Sequence, residues 1–219
     1  MVGAVGTHGL ALGPTSSLVL DVVLLGAATL LLLADRRLTV PHAVVVFAMV
    51  AAAAAARVLM ADLPNVQPVT AMVLLAGATM GARRGIAFAV LVTVLSNAVL
   101  GDGIWTVFQA VGWSMVAVVG ARAHLLVDGR LRLGRATVFV AIMALPFGLV
   151  TNLSVLGGGL GLEALPALMW SGLPFDLSHA LGNIVVMLWA GPTLVRWFTV
   201  QEVGDPMAIT GVEADVSLV

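Results

Sequence analysis

Seven apolar segments follow one another along this sequence, and they restrict the fold more than any other feature. They lie at about residues 16–34, 41–60, 67–81, 84–100, 104–121, 136–154 and 177–198. Only 10% of the residues are charged, against about 25% in a typical soluble domain. Because so few charges cannot cover a folded surface, the sequence predicts an all-α integral membrane protein. Segments three and four are short and separated only by "GARRG", which predicts a tight helical hairpin.

The basic residues predict the orientation of these segments. All ten are arginines, and nine of them fall in loops that share one side if the seven segments alternate across the membrane. The positive-inside rule makes that side cytoplasmic, so we expect the N-terminus outside and the C-terminus inside. The nine are Arg36, Arg37, Arg83, Arg84, Arg122, Arg130, Arg132, Arg135 and Arg196.

The tenth arginine, Arg57, lies near the outer end of the second segment. A charge inside a membrane segment is costly and points to a functional site. The alternative is an arginine that extends to the outer headgroups. Further polar and aromatic residues are expected on the same side, and together they predict an outward-facing pocket for a small molecule. These residues are Asn65, Gln67, Asn97, Trp105, Gln109, Trp113, Phe175, Asp176, His179 and Asn183.

Several of these residues also have a structural interpretation. Trp105 and Trp113 are typical of the aromatic belt at a membrane interface. Asp176 is a candidate N-cap of the last helix, where its charge suits the helix dipole. Asn183 is a candidate for a hydrogen bond between two membrane helices. The sequence leaves these alternatives open.

The second segment also carries a face of small residues. Ala48, Ala51, Ala52 and Ala55 lie close together on a helix, in a pattern that lets another helix approach closely. Arg57 lies about 180° from Ala48 around that helix. If Arg57 faces the pocket, the alanine face points towards lipid or a partner protein. The alternative is close packing within the same chain.

Two stretches resemble a known family. "PNVQPVTAMVLLAGATMGARRGIAFAVLVTVLSNAVLGDGIWTVFQAVGW" and "GLPFDLSHALGN" are similar to the substrate-binding (S) components of energy-coupling factor (ECF) vitamin transporters, over about residues 41–198. The resemblance implies a six-helix, outward-open bundle whose alanine face docks onto a transmembrane coupling (T) subunit. It also implies two cytoplasmic ATPase subunits, and the sequence itself has no phosphate-binding loop. The first apolar segment is an additional helix before the six.

With this resemblance, the chain divides into three parts. Residues 1–35 are expected to form an extracellular N-terminus and an extra transmembrane helix, 36–199 the six-helix substrate-binding domain, and 200–219 a flexible cytoplasmic tail. The expected ligand is a vitamin or related micronutrient, with a cobalamin-like or flavin-like molecule as the first guess. We expect no enzymatic activity, cofactor, metal or nucleic-acid partner.

Two other function classes remain open from the sequence. An autonomous secondary transporter needs access from both sides, and no inverted repeat is apparent. An intramembrane hydrolase would use Asp176 and His179, but the sequence contains neither an HExxH nor a GxSxG motif.

Overall fold

The computed structural model describes residues 5–6, 9–34, 40–63, 65–156 and 160–199, and helices dominate it. The prediction of an all-α protein is therefore confirmed, apart from two very short hairpins. The helices are α1 (Pro14–Leu33), α2 (Val40–Leu59), α3 (Val69–Leu100), α4 (Trp105–Arg122), α5 (Leu133–Ile142), α6 (Ala144–Leu156) and α7 (Leu165–Thr199), with a 3-10 turn at Leu162–Ala164. The hairpins pair β1 (Val5–Gly6) with β2 (Gly9–Leu10) and β3 (Leu126–Val127) with β4 (Arg130–Leu131).

The helices have the length and surface of a membrane protein. In the described part of the chain, four are long and apolar enough to cross a membrane: Pro14–Leu33, Val69–Leu100, Leu133–Leu156 and Leu162–Thr199. A shorter apolar helix covers Ala43–Leu59. Large apolar side chains are exposed along them, with Trp189 at 86% and Leu59 at 83%. Since water does not favour such a surface, the surrounding medium is lipid. Arg36, Arg37 and the predicted tail 200–219 lie outside the described residues.

Helix α3 is a hairpin of two helical arms, as "GARRG" predicts. The backbone leaves the helical conformation at Gly81, where φ is 83° and ψ is 170°. A Cβ atom added to Gly85 would lie 2.9 Å from Cα of Gly77, whereas residues eight apart in a straight helix are about 12 Å apart. The chain therefore reverses at Gly81 between a first arm (residues 69–80) and a second arm (82–100).

Helix α4 packs directly against the first arm of α3, backbone on backbone. A Cβ atom at Gly77 would collide with the carbonyl oxygen of Ala117, and one at Gly120 with that of Leu74. Only glycine permits two helices to approach this closely. The two contacts fix α4 next to α3, which positions the side chains described below.

The hydrophobic core forms around these elements. Trp113, Phe88, Leu74 and Leu75 are among its largest fully buried side chains. Helix α1 packs separately, with Ala28 and Leu32 in a second cluster against the second arm of α3. α1 therefore borders the bundle rather than contributing to its centre.

One predicted boundary is wrong. α7 begins at Leu165 rather than at residue 177, so Asp176 lies inside the helix and is not its N-cap. The helix continues through Pro174, and the Asn65 side chain donates to the carbonyl of Phe175 at 2.9 Å, which holds α7 beside the loop before α3. The sixth segment is divided at Met143 into α5 and α6.

Candidate functional site

Most of the charged and polar groups lie at the two ends of the bundle. At one end, α2 ends and α4 begins; we call this the polar end. At the other end, the α3 turn carries Arg83 and Arg84, and α4 ends at Arg122. The β3–β4 hairpin also lies there, because Leu131 contacts Gly191 near the end of α7. We call this the arginine end.

A buried arginine lies at the polar end, surrounded by three other chain segments. Arg57 is two residues from the end of α2, and only 4% of its surface is exposed. Its partners come from the loop before α3, the second arm of α3 and the first half of α4. They are Gln67, Ser96, Asn97, Gln109 and Trp113.

The guanidinium of Arg57 donates only to neutral oxygens. Nε donates to Gln67 Oε1 at 3.1 Å, and Nη2 donates to Gln109 Oε1 at 3.3 Å. Nη1 donates to Ser96 Oγ and, at 2.6 Å, to Asn97 Oδ1. In addition, Cζ lies 5.0 Å from the centre of the Trp113 ring, within the range of a cation–π interaction.

No carboxylate of the described residues forms an ion pair with Arg57. The network reaches an acid only at Asp102: Asn97 Nδ2 donates to Thr106 Oγ1 at 2.9 Å, and the Thr106 hydroxyl donates to Asp102 Oδ1 at 3.3 Å. Buried charges in proteins are normally paired with an opposite charge. Here dipoles and an aromatic ring surround the cation, and the described residues supply no direct counterion.

A second hydrogen-bond network connects α3, α4 and α7. Trp113 Nε1 donates to Thr70 Oγ1 at 3.0 Å, and Thr70 Oγ1 lies 2.8 Å from His179 Nε2. His179 Nδ1 lies 3.1 Å from the carbonyl oxygen of Asn65, which can only accept. Nδ1 therefore carries the proton, and Nε2 of the neutral ring accepts from the Thr70 hydroxyl. Both ring nitrogens of His179 are thus bonded within the protein.

Asn183 and Phe147 complete the contact of α7 with the rest of the bundle. Asn183 Oδ1 accepts from the backbone N–H of Ala71 at 2.9 Å, and its Nδ2 donates to the carbonyl of His179 at 2.8 Å. Ala71 belongs to the first turn of α3, where N–H groups have no acceptor within the helix. Phe147 stacks on Trp113 and on His179, with ring centres 4.9 Å and 5.2 Å away. Asn183 therefore forms a hydrogen bond between α7 and α3, as one of the two interpretations of the sequence predicts.

Removing the hydroxyl of Thr70 should weaken this hydrogen-bond network and lower the stability of the protein. Thr70→Val keeps the shape but leaves Trp113 Nε1 and His179 Nε2 without partners, so we expect a loss of about 1–3 kcal/mol in unfolding free energy. Thr70→Ser keeps the hydroxyl and should stay closer to the wild type. Unfolding in detergent micelles measures both variants. Equal stability of Thr70→Val and wild type would contradict the network.

Asp176 is a buried carboxylate without a hydrogen-bond partner among the described residues. It is 9% exposed, and its oxygens lie against the backbone of α6 at Gly148, where a Cβ atom would collide with them. It shares a face of α7 with His179 and Asn183, as the sequence predicts. Among the described residues, Asp176 is thus a second ionisable group at this end of α7 without an ion-pair partner.

Several predicted site residues are only partly buried. Gln67, Gln109, Asn65 and Trp105 are half-buried, and the Trp105 ring packs on Gly103. Phe175 is 53% exposed on the outside of α7. Trp113, His179 and Asn183 are fully buried.

Four residues that complete the site are not among the predicted site residues: Thr70, Ser96, Thr106 and Phe147. Ser96 stands beside Asn97 in an otherwise apolar stretch, and this pair was the available signal. Thr70 and Thr106 lie in first turns of their helices, where threonine is common for local reasons. Nothing in the sequence around Phe147 distinguishes it from an ordinary core residue.

Comparison with known proteins gives one match. Residues 37–198 match a family described as "Family of unknown function (DUF6580)". The matched range begins after α1 and includes α2 to α6 and nearly all of α7. No curated protein and no solved structure matches the chain. Because the match covers well over half of the 219 residues, the chain belongs to DUF6580, a protein family of unknown function.

Proposed function

We propose that this chain is the substrate-binding (S) component of an ECF-type importer and captures a vitamin-like solute at the polar end. Residues 36–199 would form the six-helix bundle, if the two arms of α3 count separately and α5 with α6 counts as one span. With α1, the chain crosses the cell membrane seven times, with the N-terminus outside and the C-terminus in the cytoplasm. A transmembrane coupling subunit and two ATPases complete the importer.

The observation that carries this proposal is the buried Arg57 cluster at the polar end. An arginine in this position is costly to bury and is typical of functional sites in membrane proteins. The cluster lies opposite the arginine end, which the positive-inside rule places in the cytoplasm. The site would therefore face the medium from which a nutrient is taken up.

The alanine face of α2 supports the expected contact with a coupling subunit. Ala48, Ala51, Ala52 and Ala55 are all exposed, while Ala53 and Ala54 are buried against the bundle. The exposed alanines lie on the opposite side of α2 from the buried Arg57. A smooth helical face of small residues suits close packing against another membrane helix.

Co-purification tests the proposal. A tagged chain isolated from its native membrane should bring a coupling subunit, two ATPases and a bound solute that mass spectrometry identifies. Ala48→Leu and Ala52→Leu should each reduce the amount of the partner subunits by roughly tenfold, which corresponds to 1.4 kcal/mol. The solute should remain bound, because these side chains are remote from the polar end.

Ala53→Leu is the matched control, since it adds the same bulk to the buried side of α2. It should lower the stability of the isolated chain, whereas Ala48→Leu should not. If Ala48→Leu and Ala52→Leu leave the partner subunits in place, the alanine face faces lipid only. If no ATPase accompanies the wild-type chain, the importer assignment is wrong.

One observation favours a second candidate, an autonomous secondary transporter. Asp176 is a carboxylate inside α7 that is 9% exposed and has no hydrogen-bond partner among the described residues, and such groups in membrane helices often belong to ion or proton pathways. This candidate predicts solute uptake by the purified chain in vesicles without any ATPase. The hydrolase alternative is less well supported, because both ring nitrogens of His179 are already bonded.

A further inference from the structure

The two glutamines that contact Arg57 form hydrogen bonds through their side-chain oxygen atoms only, as far as the described residues show. Because a guanidinium can only donate, Gln67 and Gln109 must direct Oε1 towards Arg57. Gln109 Oε1 also accepts from Asn97 Nδ2 at 2.9 Å. The Nε2 amino groups of both glutamines therefore point away from Arg57, and neither donates to an acceptor in the described part of the chain.

Arg57 itself retains an unused donor. A guanidinium carries five N–H groups, and the bonds to Gln67, Ser96, Asn97 and Gln109 use four of them, which leaves one on Nη2. Within the described ranges, the positive charge also has no direct counterion. Around this point the protein thus presents a cation and amide N–H groups, and every neighbouring oxygen that faces the cation is already engaged.

We propose that Arg57, Gln67 and Gln109 bind the acidic group of a small solute, a carboxylate or a phosphate, which supplies the missing negative charge. An anionic oxygen accepts several N–H bonds at once, and such charge-assisted bonds to arginine are the strong ones. Both glutamines are half-buried, so their amino groups lie where a solute can reach them. That the bound solute is then imported rests on the proposed function. Binding itself requires no partner subunit.

Small anions test the site directly. Acetate and inorganic phosphate, titrated into detergent-purified protein at constant ionic strength, should raise the midpoint of thermal unfolding saturably, by roughly 2–4 °C. Acetamide has nearly the shape of acetate without its charge and should have no effect. Arg57→Gln should abolish the increase, and Arg130→Gln at the exposed β3–β4 hairpin should retain it. An increase that is equal for acetate and acetamide, or absent for both anions, overturns the proposal.

Gln109→Glu covers the case in which Arg57→Gln fails to fold. The new carboxylate would occupy the position 3.3 Å from Nη2 and would still accept from Asn97. It should therefore stabilise the chain and weaken acetate binding by roughly tenfold or more, because the countercharge is already present. Unchanged acetate binding in Gln109→Glu contradicts the proposal.

Lipid is the other source of an anionic group at this depth. An increase in the unfolding midpoint with phosphatidylglycerol, but with neither acetate nor phosphate, would assign Arg57 to headgroup binding and overturn the proposed solute site. The result is independent of the importer assignment, because the isolated chain is used. Anion binding without co-purified ATPases would preserve the site and reject the importer.

Discussion

Gly77→Ala should destabilise the bundle by roughly 2–3 kcal/mol, although it adds only one methyl group. The new Cβ would collide with the backbone carbonyl of Ala117, which cannot move without moving α4. Helices α3 and α4 would have to separate, and the contact at Gly120 would be lost with them. Unfolding in mixed micelles should show the decrease.

Gly26→Ala is the matched control for this substitution. Gly26 lies inside α1, and a Cβ atom there would have no heavy atom within 4 Å. Alanine should be neutral at this position or stabilise the helix by up to about 1 kcal/mol. A similar loss in both variants would mean that an added methyl group destabilises the chain wherever it is placed, and would contradict a specific role for the contact of α3 with α4.

Arg57→Met should cost about 3 kcal/mol of unfolding free energy. Methionine fills much of the same space but donates nothing, so Asn97 Oδ1 and the oxygens of both glutamines lose a charged donor. Hydrogen bonds to charged groups contribute about 1.5–3 kcal/mol each, and Asn97 is 1% exposed, so water does not replace the donor easily.

Arg130→Met provides the comparison, because Arg130 is exposed in β4 and should change stability by no more than about 0.5 kcal/mol. Circular dichroism during thermal unfolding measures both variants. A stable Arg57→Met protein would show that Arg57 is held less tightly than its hydrogen bonds indicate, and would favour an arginine that extends towards the headgroups.

Local sequence signals were sufficient for much of the fold. The apolar segments predict the helices, and the glycines and arginines of "GARRG" predict the reversal at Gly81, since that signal lies within five residues. The start of α7 was not predictable in this way. Gly172 and Pro174 suggest a break, but Asn65, whose side chain binds the carbonyl of Phe175, is 110 residues away in the sequence.

For the site too, features within one helix could be predicted from the sequence, whereas contacts between distant segments could not. Helical periodicity places Arg57 opposite the alanine face, and this required only the sequence of α2. The burial of Trp113, His179 and Asn183 depends on how closely α3, α4 and α7 approach one another. Thr70 and Phe147 contact Trp113 and His179, and Asn183 accepts from the N–H of Ala71, so these contacts depend on residues far apart in the sequence.

Asn65 connects the loop before α3 to α7. It adopts φ of 57°, a left-handed conformation that asparagine tolerates better than most residues. Its carbonyl binds His179 and its side chain binds the carbonyl of Phe175, so the loop that carries Gln67 is fastened to α7 at two points. Val66, the next residue of this loop, also packs against Gly182 of α7. If α7 moves, we therefore expect the loop to move with it and the distance between Gln67 and Arg57 to change.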